Sequence, residues 1–365
     1  MPDKINEVFD FLFIGMGAAN CLLLLKMNEK NLLVDKKIAI VEPNSKLIND
    51  RNFCFWSSEE ELHRLKLHEF IDSKWHKIKV ADRVCQTLAP LSYYHIRGLT
   101  LYKKVREILP NLNVKQFFEN FEDEPVLESN LFILNFKDSI IKCEKVFDSR
   151  PPSYESAKKY QSLIFQSFYG WEIKTDAYNF DTETAIMMDF NIPQNYHCQF
   201  IYVLPFSKNT ALFEVTRFGK EKISKTEAEK LLKDYLQNLG FQYQIYEEEV
   251  GVIPMSTLKI FETNYGENWI LTRAKANMIK PTTGYAFYNM SVDAIEICDA
   301  LFINKVHQRK KQKLRFNFYD NLLLKILEKK PQMGKRVFEK LFNKTPIYDV
   351  LQFLSEKTTL KNILF

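Results

Sequence analysis

The chain of 365 residues has six cysteines, no CxxC pair among them, and no histidine near any of them at ligand spacing. Cys21, Cys54, Cys85, Cys143, Cys198 and Cys298 therefore read as thiols kept in a reducing compartment. That excludes a disulfide framework and a cysteine metal site, and no metal is expected. Charge of one sign is lacking too. Lys and Arg number 51 against 46 Asp and Glu, and the net +5 implies no nucleic-acid partner. The longest apolar runs, such as Leu22–Leu25, fall far short of a bilayer span. Asp3, Glu7 and Asp10 precede the first apolar run, unlike the basic start of a secretory signal. Repeats and low-complexity linkers are absent as well. The expectation is a cytoplasmic protein, or one lying on a membrane from the cytoplasmic side.

Aromatic residues are abundant: 30 Phe and 17 Tyr bring the aromatic share to 14%. Either the composition is simply Phe-rich, or rigid aromatic walls line an apolar tunnel where they can face a developing cation. Hydrophobic residues at 46% and charged residues at 27% suit a globular protein with one large or two interleaved domains.

Phe9–Ile14, Gly15-Met16-Gly17 and the leucine-rich run after Ala18 read as strand, turn and buried helix. Lys37–Glu42 reads as a second buried strand ending in an acid. Glu59–Phe70 and Leu101–Leu109 look helical, and a further strand stops at Asp148-Ser149-Arg150. Gln161–Glu172, Ala185–Phe190, Cys198–Pro205 and Thr210–Phe218 suit an antiparallel sheet. Lys225–Leu239 reads as a charged helix closed by Gly240, and Trp269–Thr272 as a last strand before an apolar helix ending near Phe302. The expected class is α/β. A Rossmann-like dinucleotide-binding part (1–150 and 268–303) is interleaved with an antiparallel substrate domain (151–267). A basic, amphipathic helical segment (304–365) follows.

A strand followed by Gly15-x-Gly17 at a helix start aims backbone N–H groups and the positive helix end at a pyrophosphate. Gly15, Gly17 and Ala18 are the candidate phosphate contacts. Asn20 stands where a third glycine is usual, so helix–strand packing must adjust. Glu42 is placed to accept hydrogen bonds from ribose hydroxyls. This unit leaves NAD and FAD both open. Asp148-Ser149-Arg150 resembles the Asp-Ala-Arg-Gly turn of flavoproteins, which closes the dinucleotide domain beside the cofactor. Pro281-Thr282-Thr283-Gly284-Tyr285 offers a second helix N-terminus, either an ordinary threonine-capped start or a dipole aimed at a reduced flavin.

Asn49-Asp50-Arg51-Asn52-Phe53-Cys54-Phe55-Trp56 resembles the DRTWCFW-type motif of bacterial lycopene β-cyclases. Further similarities follow in the same order. Phe165-Gln166-x-Phe168-x-Gly170-Trp171-Glu172 resembles the family's FQxFxGxEI, and Met187-Met188-Asp189-Phe190 its LMDF. Tyr202–Ser207 resembles YVLPFS, Leu212-Phe213-Glu214-Val215-Thr216 the FLEET-like strand. Gly251-Val252-Ile253-Pro254-Met255, the Pro281–Tyr285 turn and the tail through Phe353-Leu354 complete the set. Two departures stand out. Ala274–Lys280 replaces a stretch where the family has a Gly-Gly pair near the flavin, and Val215 replaces the second acid of FLEET.

The resemblance implies noncovalent FAD working in its reduced form, with NAD(P)H as the reductant that prepares it. It implies a redox-neutral closure of the linear ψ-ends of lycopene into β-ionone rings. That chemistry needs an acid to protonate C2, a dry pocket for the tertiary cation, and a base to remove the C6 proton. A carboxylic acid raised in pKa by desolvation suits the first step. Glu214, matching the first Glu of FLEET and sharing a strand face with Leu212 and Thr216, is the candidate acid, with Glu172 and Asp189 as alternative proton carriers. Arg51, Asp148, Pro281, Thr283, Gly284 and Tyr285 join the expected cofactor site, Arg51 pairing with phosphate or with Asp50. Trp56, Phe168, Trp171 and Phe206 are the expected substrate walls. The implied partners are an acyclic carotenoid and a membrane surface met by the basic C-terminal segment. Two other readings stay open: a flavin oxidoreductase or monooxygenase on another apolar isoprenoid, and a non-catalytic isoprenoid or flavin binder.

Overall fold

The computed structural model describes residues 5–81, 86–121, 123–136, 139–152, 162–258, 265–309 and 312–359. Cys85, Gln161, Lys310 and Lys311 lie outside these residues. The chain opens with β1 (Ile5–Ile14), α1 (Ala18–Glu29), β2 (Lys37–Val41), β3 (Asn52–Ser58) and α2 (Glu59–Leu65). Next come β4 (Ser73–Trp75), β5 (Lys77–Val80), β6 (Gln86–Thr87), β7 (Leu91–Arg97) and α3 (Gly98–Ile108). After β8 (Asn113–Phe117), a hairpin of β9 (Val126–Glu128) and β10 (Leu131–Asn135) leads into β11 (Ser139–Asp148). The middle of the chain holds β12 (Leu163–Thr175), β13 (Thr184–Asp189), β14 (Cys198–Pro205), β15 (Thr210–Gly219), α4 (Lys225–Leu239) and β16 (Tyr243–Ser256). The last elements are β17 (Trp269–Leu271), α5 (Phe287–Phe302), α6 (Leu314–Lys329), α7 (Gly334–Lys344) and α8 (Ile347–Leu354).

The first sheet runs β8-β2-β1-β11-β10-β9, with β17 also parallel to β11. Its strands β8, β2, β1 and β11 are parallel, and the apolar stretches 12–14 of β1 and 38–41 of β2 are buried on both faces. Helix α1 is apolar nearly all round because it packs between the sheet, α3 and α5. Asn20 performs the adjustment that its position in the glycine pattern demanded. Its Nδ2 donates to the carbonyls of Ile14 at 3.1 Å, Gly15 at 2.8 Å and Phe147 at 3.2 Å, and its Oδ1 accepts from Thr272 Oγ1 at 3.0 Å. One buried amide thus ties β1, β11 and the end of β17 to α1. Gly15, at φ +83°, leaves room for Ser149, whose Oγ would lie 2.4 Å from a Cβ there.

The second sheet runs β16-β12-β15-β14-β13-β5-β6. Its last two strands, β5 and the edge strand β6, come from the first 150 residues, so the sheet reaches back beyond the 151–267 span expected for it. A small third sheet, β3-β7-β4, joins the two. The helix expected over Glu59–Phe70 stops at Leu65 because Lys66 turns left-handed at φ 52°, and a single tight turn, His68–Phe70, follows. Helix α4 is capped by Ser224 and closed by left-handed Gly240, and it covers one face of the second sheet. Helices α6, α7 and α8 cover the other face. Two polar clusters anchor this C-terminal segment. Lys280 Nζ bonds both carboxylate oxygens of Asp320 at 2.7 Å and Glu356 at 2.7 Å, while Thr282 and Gln312 also donate to Asp320. Asp293 of α5 receives His307 and Arg309. Among the described residues no helix is long and apolar enough to cross a membrane.

Asn20→Leu removes every bond of the buried amide at once. A loss of about 3 kcal/mol is expected, since buried carbonyls and the Thr272 hydroxyl lose their partner. A chemical-denaturation midpoint equal to that of the parent would contradict this account of α1 docking.

Candidate active site

The crevice at the carboxyl ends of β1 and β2 is a helix N-terminus left free of side chains. Gly17 precedes α1, no side chain caps it, and a Cβ placed on it would meet nothing within 4 Å. Ala18 is buried in the first turn behind it. Glu42 follows β2 directly; its Oε2 accepts from Met16 N–H at 2.8 Å and its Oε1 from Asn44 N–H at 3.1 Å. A cavity of about 90 Å³ bounded by Met16, Glu42, Lys46, Arg106 and Phe117 opens there. The open space beside Gly17 and the uncapped helix end suit a bound pyrophosphate.

The six other expected cofactor residues are differently engaged. Asp148 is fully buried and its carboxylate is consumed internally, by Arg150 Nη2 at 2.8 Å and Lys275 Nζ at 3.0 Å. The two cations hold it below the usual carboxylate range against the cost of burial. It shapes the turn and presents no free oxygen to the crevice. Arg51 bonds the Asp50 carbonyl at 2.7 Å, whereas the Asp50 carboxylate takes Lys46 and Tyr102, each at 2.7 Å. Pro281, Thr283, Gly284 and Tyr285 form a turn before α5, not its first turn. Neither threonine caps that helix: Thr282 donates to Asp320, and Thr283 Oγ1 accepts from Tyr285 N–H at 3.3 Å. At Gly284, φ is +71°, and a Cβ would sit 2.4 Å from Gln166 Oε1, a buried acceptor with no partner in the structure. An orphaned acceptor at a glycine turn marks a place where a further hydrogen-bonding group fits.

Behind this turn lies a cavity of about 500 Å³, reaching from Arg51 and Thr283 to the apolar faces of α6, α7 and α8. Trp56 lines it, donating Nε1 to Ser355 Oγ at 2.7 Å and meeting Tyr285 edge-on at 4.7 Å. Phe168 lines it too, its ring lying over Gly251. Trp171 does not. Side chains alternate along β12, so Gln166, Phe168 and Gly170 share the cavity face, while Tyr169, Trp171 and Ile173 pack under α4. Phe206 is also off the cavity wall, tilted against the His95 ring at 4.9 Å with the Arg97 guanidinium above it.

Glu214 stands on the cavity floor. It pairs in register with Gly170 of β12, is buried, and accepts one hydrogen bond, from Thr216 Oγ1 at 2.6 Å. Burial, then the neighbouring Glu249 carboxylate, push its pKa well above the ordinary glutamate value. The alternative proton carriers are spoken for: Glu172 pairs bidentately with Arg97, and Asp189 accepts from Tyr235 and the Asn191 N–H. Sequence reading missed Glu249. It pairs with Gly170 from the opposite side, on β16, and lines the same cavity. Its signal was period-two spacing ahead of the Gly251-Val252-Ile253-Pro254 motif, obscured by the run Glu247-Glu248-Glu249. Also unforeseen is a chain of hydroxyls beside them, Tyr93 bonding Tyr202 at 2.7 Å and Tyr285 at 2.6 Å.

The model of the family described as lycopene cyclase protein matches residues 10–365. A lycopene beta-cyclase of Pantoea ananas is 24% identical over 285 residues, 76% of this chain and 71% of that protein. A lycopene beta-cyclase of Pseudescherichia vulneris is 30% identical over 105 residues, 28% of this chain and 27% of that protein. Among solved structures, a geranylgeranyl bacteriochlorophyll reductase-like protein of Thermoplasma acidophilum superposes with TM-score 0.64 at 12% identity, over 98% of each chain. A flavoprotein/dehydrogenase of Cytophaga hutchinsonii gives TM-score 0.57 at 12% identity, over 96% of this chain and 93% of that one. These likenesses show the fold: a Rossmann-like α/β flavoprotein architecture with an added antiparallel sheet.

Because burial raises Glu214 above its unfolded value of 4.5, the native state holds that proton more tightly than the unfolded chain. Its stabilising contribution is complete below the unfolded value and is lost as pH rises through the folded one. Glu214→Gln should therefore gain stability relative to the parent as pH is raised from 4.5 upward. Denaturant melts with parallel pH profiles for the two proteins would refute the shift.

Proposed function

The chain belongs to the lycopene cyclase family, and from that premise we propose that it is a lycopene β-cyclase, closing the ψ-ends of lycopene into β-ionone rings. One observation carries this reading: a buried carboxyl group, Glu214, whose pKa burial pushes well above the ordinary glutamate value, on the floor of a cavity walled largely by aromatic and aliphatic side chains. Protonating an isolated alkene needs a neutral acid and no competing water. Glu214 delivers its proton to C2, and Trp56 and Phe168 shield the tertiary cation with their ring faces. Redox neutrality follows, since the proton gained at C2 equals the one lost later.

The residues also fit FAD. Gly15, Gly17 and Ala18 would hold the pyrophosphate and Glu42 the ribose. Arg51, Pro281, Thr283, Gly284 and Tyr285 would surround the ring end, where Gln166 Oε1 waits for a donor. When bound, FAD reduced by NAD(P)H would supply an electron-rich ring that stabilises the developing positive charge. Residues 1–150 with 268–303 form its domain in this reading, lending β5 and β6 to the substrate sheet of 151–267.

Access from a bilayer fits α6. Leu314, Phe318 and Leu322 are exposed at intervals of one helical turn, flanked by exposed Lys313 and Lys325, and Leu322 also reaches the cavity. Such a stripe suits peripheral docking with its apolar side down. Leu314→Glu with Phe318→Glu should weaken co-sedimentation with anionic vesicles by tenfold or more; unchanged sedimentation would remove α6 from the contact.

Expression in a bacterium accumulating lycopene, followed by pigment chromatography, tests the main reading. γ- or β-carotene is expected, with FAD released from the purified protein on denaturation. Glu214→Gln should cut product by about 100-fold or more without loss of fold or FAD. Oxygenated or reduced products would favour a flavin oxidoreductase, and unchanged lycopene a non-catalytic binder.

A further inference from the structure

Cyclisation needs a base as well as an acid, and the cavity wall holds three carboxylates among the described residues: Glu214, Glu249 and Asp320. Asp320 is closed off by Lys280, Thr282 and Gln312. Glu249 is not. Two N–H donors of Asn52 orient it, Nδ2 at 2.6 Å and the backbone at 3.2 Å, and Asn52 Oδ1 is fixed in turn by His95 Nε2 at 2.9 Å. Those donors favour its ionised form, against the burial that raises its pKa. Glu214 receives only a hydroxyl. The two environments differ in the direction that separates a base from an acid.

Placement agrees. Gly170 pairs with Glu214 on one side and Glu249 on the other, so both carboxylates project from the same face of the sheet. Their backbones stand two strand spacings apart, about 10 Å, and the residue between them has no side chain. A Cβ on Gly170 would press on Glu214 Cβ at 3.1 Å. The gap is wide enough for a folded ψ-end whose C2 and C6 are presented to opposite flanks.

We propose that Glu249 is the catalytic base that removes the C6 proton and so selects the β-ring. This assignment rests on the cyclase reading above. Glu214 gives its proton to C2, leaving the cation at C1. The C5=C6 pair attacks C1 through C6, forming the C1–C6 bond and moving the cation to C5. The Glu249 carboxylate takes the C6 proton, and the freed pair becomes the ring double bond. One proton then passes from Glu249 back to Glu214 across the Gly170 gap, and the pair is ready again with no redox change.

The ring isomer reads this step directly. Loss of H6 gives a β-ring, whereas loss from C4 gives an ε-ring and loss from the C5 methyl gives an exocyclic γ-ring. Glu249→Gln keeps one of the two Asn52 contacts through its side-chain oxygen and lacks the base. In the lycopene-accumulating host its β-ring output should fall by about 100-fold or more, with residual product enriched in ε- or γ-ends. Purified E249Q in D2O should still place deuterium at C2 of recovered lycopene, which E214Q cannot do. Unaltered β-ring output from E249Q overturns the assignment while leaving Glu214 in place. Absence of any cyclised product from the parent chain overturns the cyclase reading and this step with it. If E249Q does not fold, Glu249→Asp decides: a slower enzyme with more ε- or γ-ends supports the base, and an unchanged rate and ring pattern refutes it.

Discussion

Everything around the cavity serves the desolvation of one carboxyl group. A glutamate on a solvated strand stays ionised at neutral pH and cannot protonate an alkene. Burial pushes the Glu214 pKa well above the ordinary glutamate value because β15 is an inner strand, because Gly170 beside it adds no polar atom, and because helices α6 to α8 roof the sheet face it occupies. The single hydroxyl bond from Thr216 orients the group without the cluster of N–H donors that would lower its pKa. Glu249, a carboxylate nearby, adds like-charge repulsion, so the pair shares protons more readily than it gives them all up.

The roof is held by polar contacts that would be costly if left incomplete. Lys280, Asp320 and Glu356 form a largely buried ion cluster in which Thr282 and Gln312 satisfy the remaining acceptor sites. Removing one partner would leave uncompensated charge inside the protein, so the cluster acts as a registration point more than as a source of stability. It joins the C-terminal helices to the residues just before the Gly284 turn. The cavity wall and the expected cofactor edge are therefore positioned by the same contact.

The dinucleotide unit was legible because its signal is local: strand, Gly15-x-Gly17, helix, then Glu42 on the next strand. Asn20 showed only as an irregularity, since its partners Phe147 and Thr272 lie 127 and 252 residues away. Glu214 was legible by motif and by strand face. Trp171 was misplaced for the same period-two rule, because a motif lists neighbours without saying which of them share a face. Glu249 was hidden for a different reason. Its place on the cavity wall depends on which strands flank β12, and pairing partners drawn from residues far apart leave no mark in a single chain.

The missing glycine pair is the departure with most bearing on the cofactor, and the backbone accommodates it. Arg273 and Asn277 take left-handed conformations at φ 56° and 57°, as glycines would, and the N–H groups of Ala276 and Met278 both bond the Arg273 carbonyl. Asparagine tolerates this region better than most residues. The turn is thus built without glycine, at a modest conformational cost. Lys275, between the two, places its ammonium on Asp148 and so joins this turn to the Asp148–Arg150 turn on the next strand. Side chains that looked like obstructions are partly spent on holding two turns together. The stretch also reaches the cavity of Glu214, whose lining takes in Ile279 and Lys280 at its end.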